Sequence, residues 1–142
     1  MKIYMHVNYL EHQVPLKSIV RTAAEAGYQG IELRGWDISE QQPIEDYLPA
    51  ACQLADHYDL DLVIARIIDA MDVDPTRRQK SLQEMLASIR IAGEHGIARI
   101  NVFTGQLRAP GCEFFHFGRN GSAAAGEEHW RWAIEALDIS AE

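Results

Sequence analysis

Short apolar runs alternate with longer amphipathic segments along the chain. The short runs are rich in β-branched residues, which predicts strands at residues 2–7, 30–34, 62–68 and 97–103. The segments between them repeat apolar residues at helical spacing, which predicts helices with one buried face. These helices are expected at residues 15–26, from about 43 or 44 to 58, from 75 to about 94, and at 127–137.

Two local features refine these predicted helices. Pro49 lies inside the second helix and removes a backbone donor, so we expect that helix to start or kink there. In the last helix, Trp130, Ala133, Ile134 and Leu137 are predicted to form the buried face. Trp132 is two residues from Trp130 and cannot share its face, so one tryptophan is expected to be core and the other to be exposed or to meet a partner.

Glycine ends two of the predicted helices. Gly27 and Gly96 each follow an amphipathic segment, and a short apolar strand begins soon after each. This pattern predicts helices that end on a left-handed glycine. Four strand-helix units in sequence predict a parallel α/β sheet, (βα)4, with right-handed crossovers. Ligands of such sheets bind beyond the carboxyl ends of the strands, whether the sheet is open or closed into a barrel.

Composition limits the class of protein. The length of 142 residues and the apolar fraction of 47% predict one folded domain over residues 1–142. A formal net charge of −8 argues against general nucleic-acid binding, although a small arginine-lined anion pocket is still compatible. No apolar run reaches the ~20 residues of a membrane span. Cys52 and Cys112 are far apart and are expected to be free thiols in a reducing cytoplasm.

A long segment at about residues 105–126 lacks periodicity and is rich in glycine. Loops of this length are usually functional or disordered. Cys112, Glu113 and His116 lie in it, but no further ligand stands at matching spacing, so a metal site is not predicted there.

Polar side chains stand where each strand ends. A carboxylate and a guanidinium at the end of a strand built for burial need a partner or water, so the carboxyl edge of the sheet is the predicted site. The candidates are His6 and Asn8, Glu32 and Arg34, Arg66 and Asp69, and Asn101 and Thr104.

Each candidate also has a structural alternative. Glu32 can be a carboxylate that pairs with Arg34, Arg66 or loop N–H groups, and Arg66 can form a salt bridge that lines a barrel. His6 can be a satisfied core residue. Trp36 can stack on a sugar face or simply pack at the mouth of the sheet.

Three pieces of the sequence resemble the amino-terminal half of the xylose isomerase-like barrel superfamily. They are AAEAGYQGIELRGWD, ACQLADHYDLDLV and SIRIAGEHGIARINVFTG. The superfamily includes sugar isomerases and epimerases, sugar-phosphate isomerase-like proteins and repair enzymes of the endonuclease IV type. The resemblance implies that the (βα)4 unit is half of a TIM (β/α)8 barrel, a fold of typically ~250 residues.

The resemblance also implies a divalent metal (Mn, Mg or Zn), bound by carboxylates and histidine chiefly from the second half of the barrel. No metal ligand or catalytic residue can therefore be assigned in this chain. Glu32 matches the second-strand glutamate of the family, and residues 101–105 lie where the fourth strand opens into the site. Residues 65–69 and 102–105 lack the histidines that the endonuclease IV type places after early strands, which argues against DNA repair.

The predicted function is the amino-terminal half of a metal-dependent sugar or sugar-phosphate isomerase or epimerase. In it, His6, Glu32, Arg34, Trp36, Arg66 and Asn101 bind a small sugar-like substrate. The alternative is a non-catalytic half-barrel that assembles or binds a small ligand, and an open flavodoxin-like domain ranks last because no glycine loop follows the first strand. A half-barrel leaves one sheet face and two edges uncovered, which predicts self-association or pairing with a missing second half.

Overall fold

The computed structural model describes residues 1–7, 10–34, 42–105, 107 and 121–142. The strands are β1 (Tyr4–His6), β2 (Gly30–Leu33), β3 (Asp61–Ile67) and β4 (Ile100–Phe103). The helices are α1 (Leu16–Glu25), α2 (Ile44–His57), α3 (Pro75–Glu94) and α4 (Glu127–Ala141), with short 3-10 turns at Leu10–His12 and Ser122–Ala124.

The strands form one sheet in the order β1-β2-β3-β4. β1 pairs in parallel with β2, with His6 opposite Glu32, and β2 pairs in parallel with β3, with Glu32 opposite Val63. The Ile64 N–H donates to the Arg99 carbonyl on the side of β4, which extends the same direction of pairing. The predicted parallel (βα)4 architecture, half of a TIM barrel, is confirmed.

The chain divides into two compact units. The first comprises Met1–Arg66 and Ala87–Asn101, and the second comprises Ile67–Leu86 and Val102–Glu142. The core of the first unit lies between the sheet and helices α1 and α2, where Ile31, Leu33 and Ile64 are fully buried. The second unit buries a smaller apolar set that includes Ile68, Met71, Met85 and Ala133.

Three helices end in the same hydrogen-bonded turn. In each, the N–H of the first residue after a left-handed position donates to the carbonyl of a buried alanine five residues earlier. The pairs are Tyr28 with Ala23, Leu60 with Ala55, and Ile97 with Ala92. The turn reverses the chain at once, so each helix leads directly towards the next parallel strand.

The left-handed residue is glycine at two of these turns and aspartate at the third. Gly27 and Gly96 have φ of 81° and 70°, as the sequence predicted, whereas Asp59 has φ of 54°. The sequence indicates a turn at residues 59–61, but not the left-handed conformation of Asp59, because aspartate adopts that region less readily than glycine. The turn at Gly96 also includes Ile97, which explains why β4 begins at Ile100 rather than at the predicted residue 97.

The expected start or kink at Pro49 does not set the beginning of α2. The helix begins at Ile44, directly after Pro43, and Pro49 lies inside it. Tyr47, Leu48, Ala51 and Cys52 are all buried on this helix. Burial on both sides of the proline therefore outweighs the one hydrogen bond that it removes.

The predicted buried face of α4 is wrong. Ala133 is buried, but Trp130, Ile134 and Leu137 are 43%, 58% and 39% exposed. The helix instead turns Trp132 inward, and the Arg78 guanidinium lies 3.8 Å from the centre of its ring. The helix also continues to Ala141, beyond the predicted end at residue 137.

Cys112, Glu113, His116 and most of the predicted loop at 105–126 lie outside the described residues. Among the helices that the structure describes, none is long and apolar enough to cross a membrane.

Gly30 has no room for a side chain. A Cβ at this position would overlap the ring of Tyr4 and lie 2.9 Å from the Asp61 carbonyl oxygen. The ring lies there because the Tyr4 hydroxyl donates to Asp61 Oδ2 at 2.6 Å. Gly30 therefore permits β1 and β3 to be linked across β2.

The cap at Asp59 gives a test of this helix-ending turn. We expect Asp59→Gly to raise the free energy of unfolding by about 1 kcal/mol, because glycine removes the Cβ strain of the left-handed conformation. Gly96→Ala should lower it by about the same amount, since its Cβ would meet open space and only the backbone strain acts. Urea denaturation of both variants measures the effect, and a loss of stability in Asp59→Gly would contradict it.

Candidate functional site

Glu32 is the centre of a polar cluster at the carboxyl end of the sheet. Its Oε1 lies 3.2 Å from His6 Nδ1, and its Oε2 accepts a hydrogen bond from Asn101 Nδ2 at 3.1 Å. These three residues, here called the Glu32 cluster, come from β1, β2 and β4. The structure thus brings together three of the residues that the sequence proposed for a substrate site.

The cluster lies on the side of the sheet opposite the helices. Register and pleat put His6, Glu32 and Val63 on one face, and Leu33 and Ile64 on the face that packs against α1 and α2. Because Asn101 reaches Glu32 from β4, the side chains of Val63 and Ala65 on β3 lie between their strands. Both side chains are nearly fully buried, so they offer little surface to a ligand.

The cluster remains open to a ligand. The side chain of His6 is 53% exposed and that of Glu32 is 20% exposed. A carboxylate, an imidazole and an amide can together accept hydrogen bonds from hydroxyl groups and donate them. The arrangement is suited to a polyhydroxylated small molecule.

The two candidate arginines occupy different places. Arg66 is 3% exposed, and the alternation along β3 puts it on the same face as Ile64, opposite to the face of Glu32. Arg34 follows β2, and its main-chain N–H donates to Glu11 Oε2 at 2.8 Å. Ligand binding by these arginines stays a prediction.

The four remaining candidates are not described as part of the Glu32 cluster. Asp69 and Thr104 belong to the second unit, where the Asp69 N–H donates to Ser81 Oγ at 2.9 Å. Asn8 and Trp36 lie outside the described residues.

Glu11 is a buried structural carboxylate that the sequence did not single out. It is 1% exposed, and it accepts the main-chain N–H of Arg34 at one oxygen and the hydroxyl of Tyr47 at the other. It therefore joins the connection after β1 to the end of β2 and to α2. In the sequence it stands in a short polar stretch with nothing to distinguish it from a solvated loop residue.

The described residues do not form a metal centre. Among them, no three His, Cys, Asp or Glu side chains lie close enough together to hold a metal ion. Glu32 and His6 supply two donor groups, and Asn101 engages the remaining oxygen of Glu32. The described part of the chain therefore does not fit the metal that the resemblance implies, and no chemical step is derived through it.

A cavity of about 360 Å³ lies at the opposite, amino end of the strands in the first unit. Its polar lining includes Tyr4, Cys52, Asp56, Asp61, His95 and Arg99. Burial, with a smaller effect of the Asp56 charge, raises the pKa of the Cys52 thiol to about 11, so the thiol is protonated at neutral pH. Hydrogen bonds from Lys2 and Tyr4 hold the pKa of Asp61 below its ordinary value. Active sites of TIM barrels lie at the carboxyl end, so this cavity is not the candidate site.

Comparison with known proteins agrees with this geometry. The family model described as "Xylose isomerase-like TIM barrel" matches residues 20–142. The chain belongs to the xylose isomerase-like TIM barrel family. A search of curated protein sequences gave no match.

A solved structure supports the same fold. The chain is similar to D-psicose 3-epimerase from Clostridium cellulolyticum H10, in a structure with D-tagatose, with a TM-score of 0.67 and 13% sequence identity. The match covers 99% of this chain and 47% of the epimerase chain. The chain thus spans about half the length of that relative, and a likeness at this identity establishes the fold alone.

Glu11 allows a test of the link behind the site. In Glu11→Gln, an amide NH₂ must face either the Arg34 N–H or the Tyr47 hydroxyl, so we expect a loss of about 1–3 kcal/mol in unfolding free energy. The matched control is Glu25→Gln. Glu25 is exposed, and its contact with Arg21 on the same helix is a long surface ion pair of 3.8 Å. That control should change stability by less than about 0.5 kcal/mol. Equal urea midpoints for the two variants would contradict a structural role of Glu11.

Proposed function

We propose that the chain forms the amino-terminal half of a sugar isomerase or epimerase, in which the Glu32 cluster is one wall of the substrate site. The proposal rests on family membership and on the position of the cluster at the carboxyl end of a parallel sheet. The single observation that carries it is a half-exposed His6 beside a Glu32 carboxylate that Asn101 also holds.

The chemistry of the cluster favours sugar-like ligands over charged ones. Glu32 can accept a hydroxyl hydrogen bond, and such bonds to charged acceptors are stronger than neutral ones. His6 and Asn101 add a donor or an acceptor beside this carboxylate. Polyols and ketoses present several hydroxyl groups, which can donate hydrogen bonds to the carboxylate and exchange them with the other two side chains.

The remainder of the active site is proposed to come from outside the described residues. In the proposed enzyme, proton transfer beside a carbonyl needs acid and base groups, and a metal where the family uses one. This chain would contribute substrate binding through its own side chains. A reducing, cytoplasmic location is proposed because Cys52 is a free thiol.

Calorimetric binding of a ketose panel, including D-psicose and D-tagatose, to the full chain tests the proposal. Glu32→Ala should weaken binding at least about tenfold, or about 1.4 kcal/mol, because a charge-assisted hydrogen bond to a hydroxyl is lost. Glu25→Ala is the matched control and should bind like the unaltered chain. Absence of ketose binding, or equal affinity in both variants, would refute the function.

The exposed face of α4 favours a second candidate, a half-barrel that assembles with a second copy. Trp130, Ile134 and Leu137 recur at helical spacing and form one exposed apolar stripe. The stripe is proposed to meet another copy because two chains together supply about as many strand-helix units as one chain of the epimerase. Assembly of this kind is compatible with either a catalytic or a purely ligand-binding role.

Light scattering distinguishes this assembly from a monomer. The full chain should have about twice the mass of 16.0 kDa, and Ile134→Lys should shift it towards the monomer because a charge would enter the apolar contact. Glu135→Lys introduces lysine at an exposed position of the same helix away from the stripe and should leave the mass unchanged. A monomeric unaltered chain at micromolar concentration would rule the assembly out.

A further inference from the structure

Within the Glu32 cluster, His6 is contacted at only one of its two ring nitrogens, Nδ1. It is the last residue of β1, opposite Glu32 in register, and its Nδ1 lies 3.2 Å from the carboxylate. The two nitrogens of imidazole lie on different edges of the ring, so Nε2 is directed away from Glu32. With 53% of the side chain exposed, this second edge is available to a ligand.

The 3.2 Å contact with Glu32 favours one tautomer of the neutral ring. An ionised carboxylate can only accept hydrogen bonds, so the proton belongs on Nδ1. Nε2 then carries the lone pair and is an acceptor.

Glu32 is itself oriented from a third strand. Asn101 Nδ2 donates to its other oxygen at 3.1 Å, and the apolar Val63 and Ala65 lie between β2 and β4. Hydrogen bonds beside apolar surface are stronger than the same bonds in water. The carboxylate therefore has a defined direction on the face of the sheet opposite α1 and α2.

The comparison with Glu11 separates this arrangement from a purely structural one. Glu11 is 1% exposed, and its two oxygens accept donors from the backbone and from Tyr47 within the fold. Glu32 instead directs a half-exposed imidazole, and a surface contact of that kind adds little to stability. The positioned ring is thus better explained by a ligand than by folding.

We propose that His6 is the group that takes a proton from a ligand hydroxyl, with Glu32 and Asn101 as positioning residues. In this step the O–H bond breaks and its electron pair stays on oxygen, while the Nε2 lone pair forms the new N–H bond. The positive charge of the resulting imidazolium faces the Glu32 carboxylate, and the reverse transfer returns the proton to an oxygen of the ligand. The inference rests on the proposed function, because it requires a hydroxylated ligand at this site.

Nitrogen-15 NMR of the full chain tests the positioning without any ligand. Two-bond proton–nitrogen spectra at pH 8 should show the His6 proton on Nδ1. Glu32→Ala should shift the ring towards the Nε2–H tautomer, whereas Glu32→Gln keeps an acceptor oxygen and should restore Nδ1–H. A dominant Nε2–H tautomer in the unaltered chain would overturn the proposal.

Chemical modification tests the ligand step. Diethyl pyrocarbonate reacts with an unprotonated imidazole nitrogen, and peptide mapping reads each histidine separately. At a ketose concentration of about ten times Kd, modification of His6 should slow about tenfold, since only the free protein reacts. His57 and His95 are exposed elsewhere in the first unit and should react at unchanged rates.

The two proposals fail in different ways. A ketose that binds in calorimetry but leaves the modification rate of His6 unchanged overturns the role of His6 and leaves the proposed function standing. Absence of ketose binding overturns the proposed function and the proton transfer together. Protection of His6 with the Nδ1–H tautomer supports both.

Discussion

The turn that ends each of the first three helices is the constraint on which the sheet depends. An N–H after the left-handed residue donates to a buried alanine carbonyl five residues earlier, at Ala23, Ala55 and Ala92. Each turn delivers the chain to the amino end of the next strand, and three repetitions place the carboxyl ends of all four strands at one edge.

This common edge explains why residues far apart in sequence meet at Glu32. His6 and Asn101 come from the first and last strands, and neither has a local reason to contact that carboxylate. The parallel register puts His6 opposite Glu32, and the pleat keeps them on the same face.

Two carboxylates near this edge have different structural roles. Glu11 is buried and joins the end of β2 to α2, while Glu32 is partly exposed and holds polar groups from two other strands.

The cluster lies at the end of the sheet where TIM barrels carry their active-site residues. Barrels of this kind vary their chemistry through residues at the carboxyl ends of the strands, and the amino end mainly contributes stability. The Lys2–Asp61 pair at 2.5 Å and the Tyr4–Asp61 hydrogen bond belong to that stabilising end. Because the chain spans about half of its structural relative, the Glu32 cluster is proposed as one wall of a site and not as a complete catalytic centre.

The sequence by itself determined the order of strands and helices, the parallel sheet and the glycine turns at Gly27 and Gly96. These features depend on periodicity and on backbone conformation, which are local properties of the chain. It also proposed Glu32, His6 and Asn101 as site candidates, because the polar residues that end parallel strands are expected to meet at one edge of the sheet.

Only the tertiary structure decided which of the proposed groups meet and which faces are buried. Burial at Glu11, the left-handed Asp59 and the start of α2 ahead of Pro49 depend on neighbours distant in sequence. The same is true of α4, where contact between Arg78 and Trp132 turns the helix so that Trp130, Ile134 and Leu137 are exposed. A helical stripe of apolar residues shows that some face is suited to burial. Which face is buried depends on the surface against which the helix packs, and that surface exists only in the folded chain.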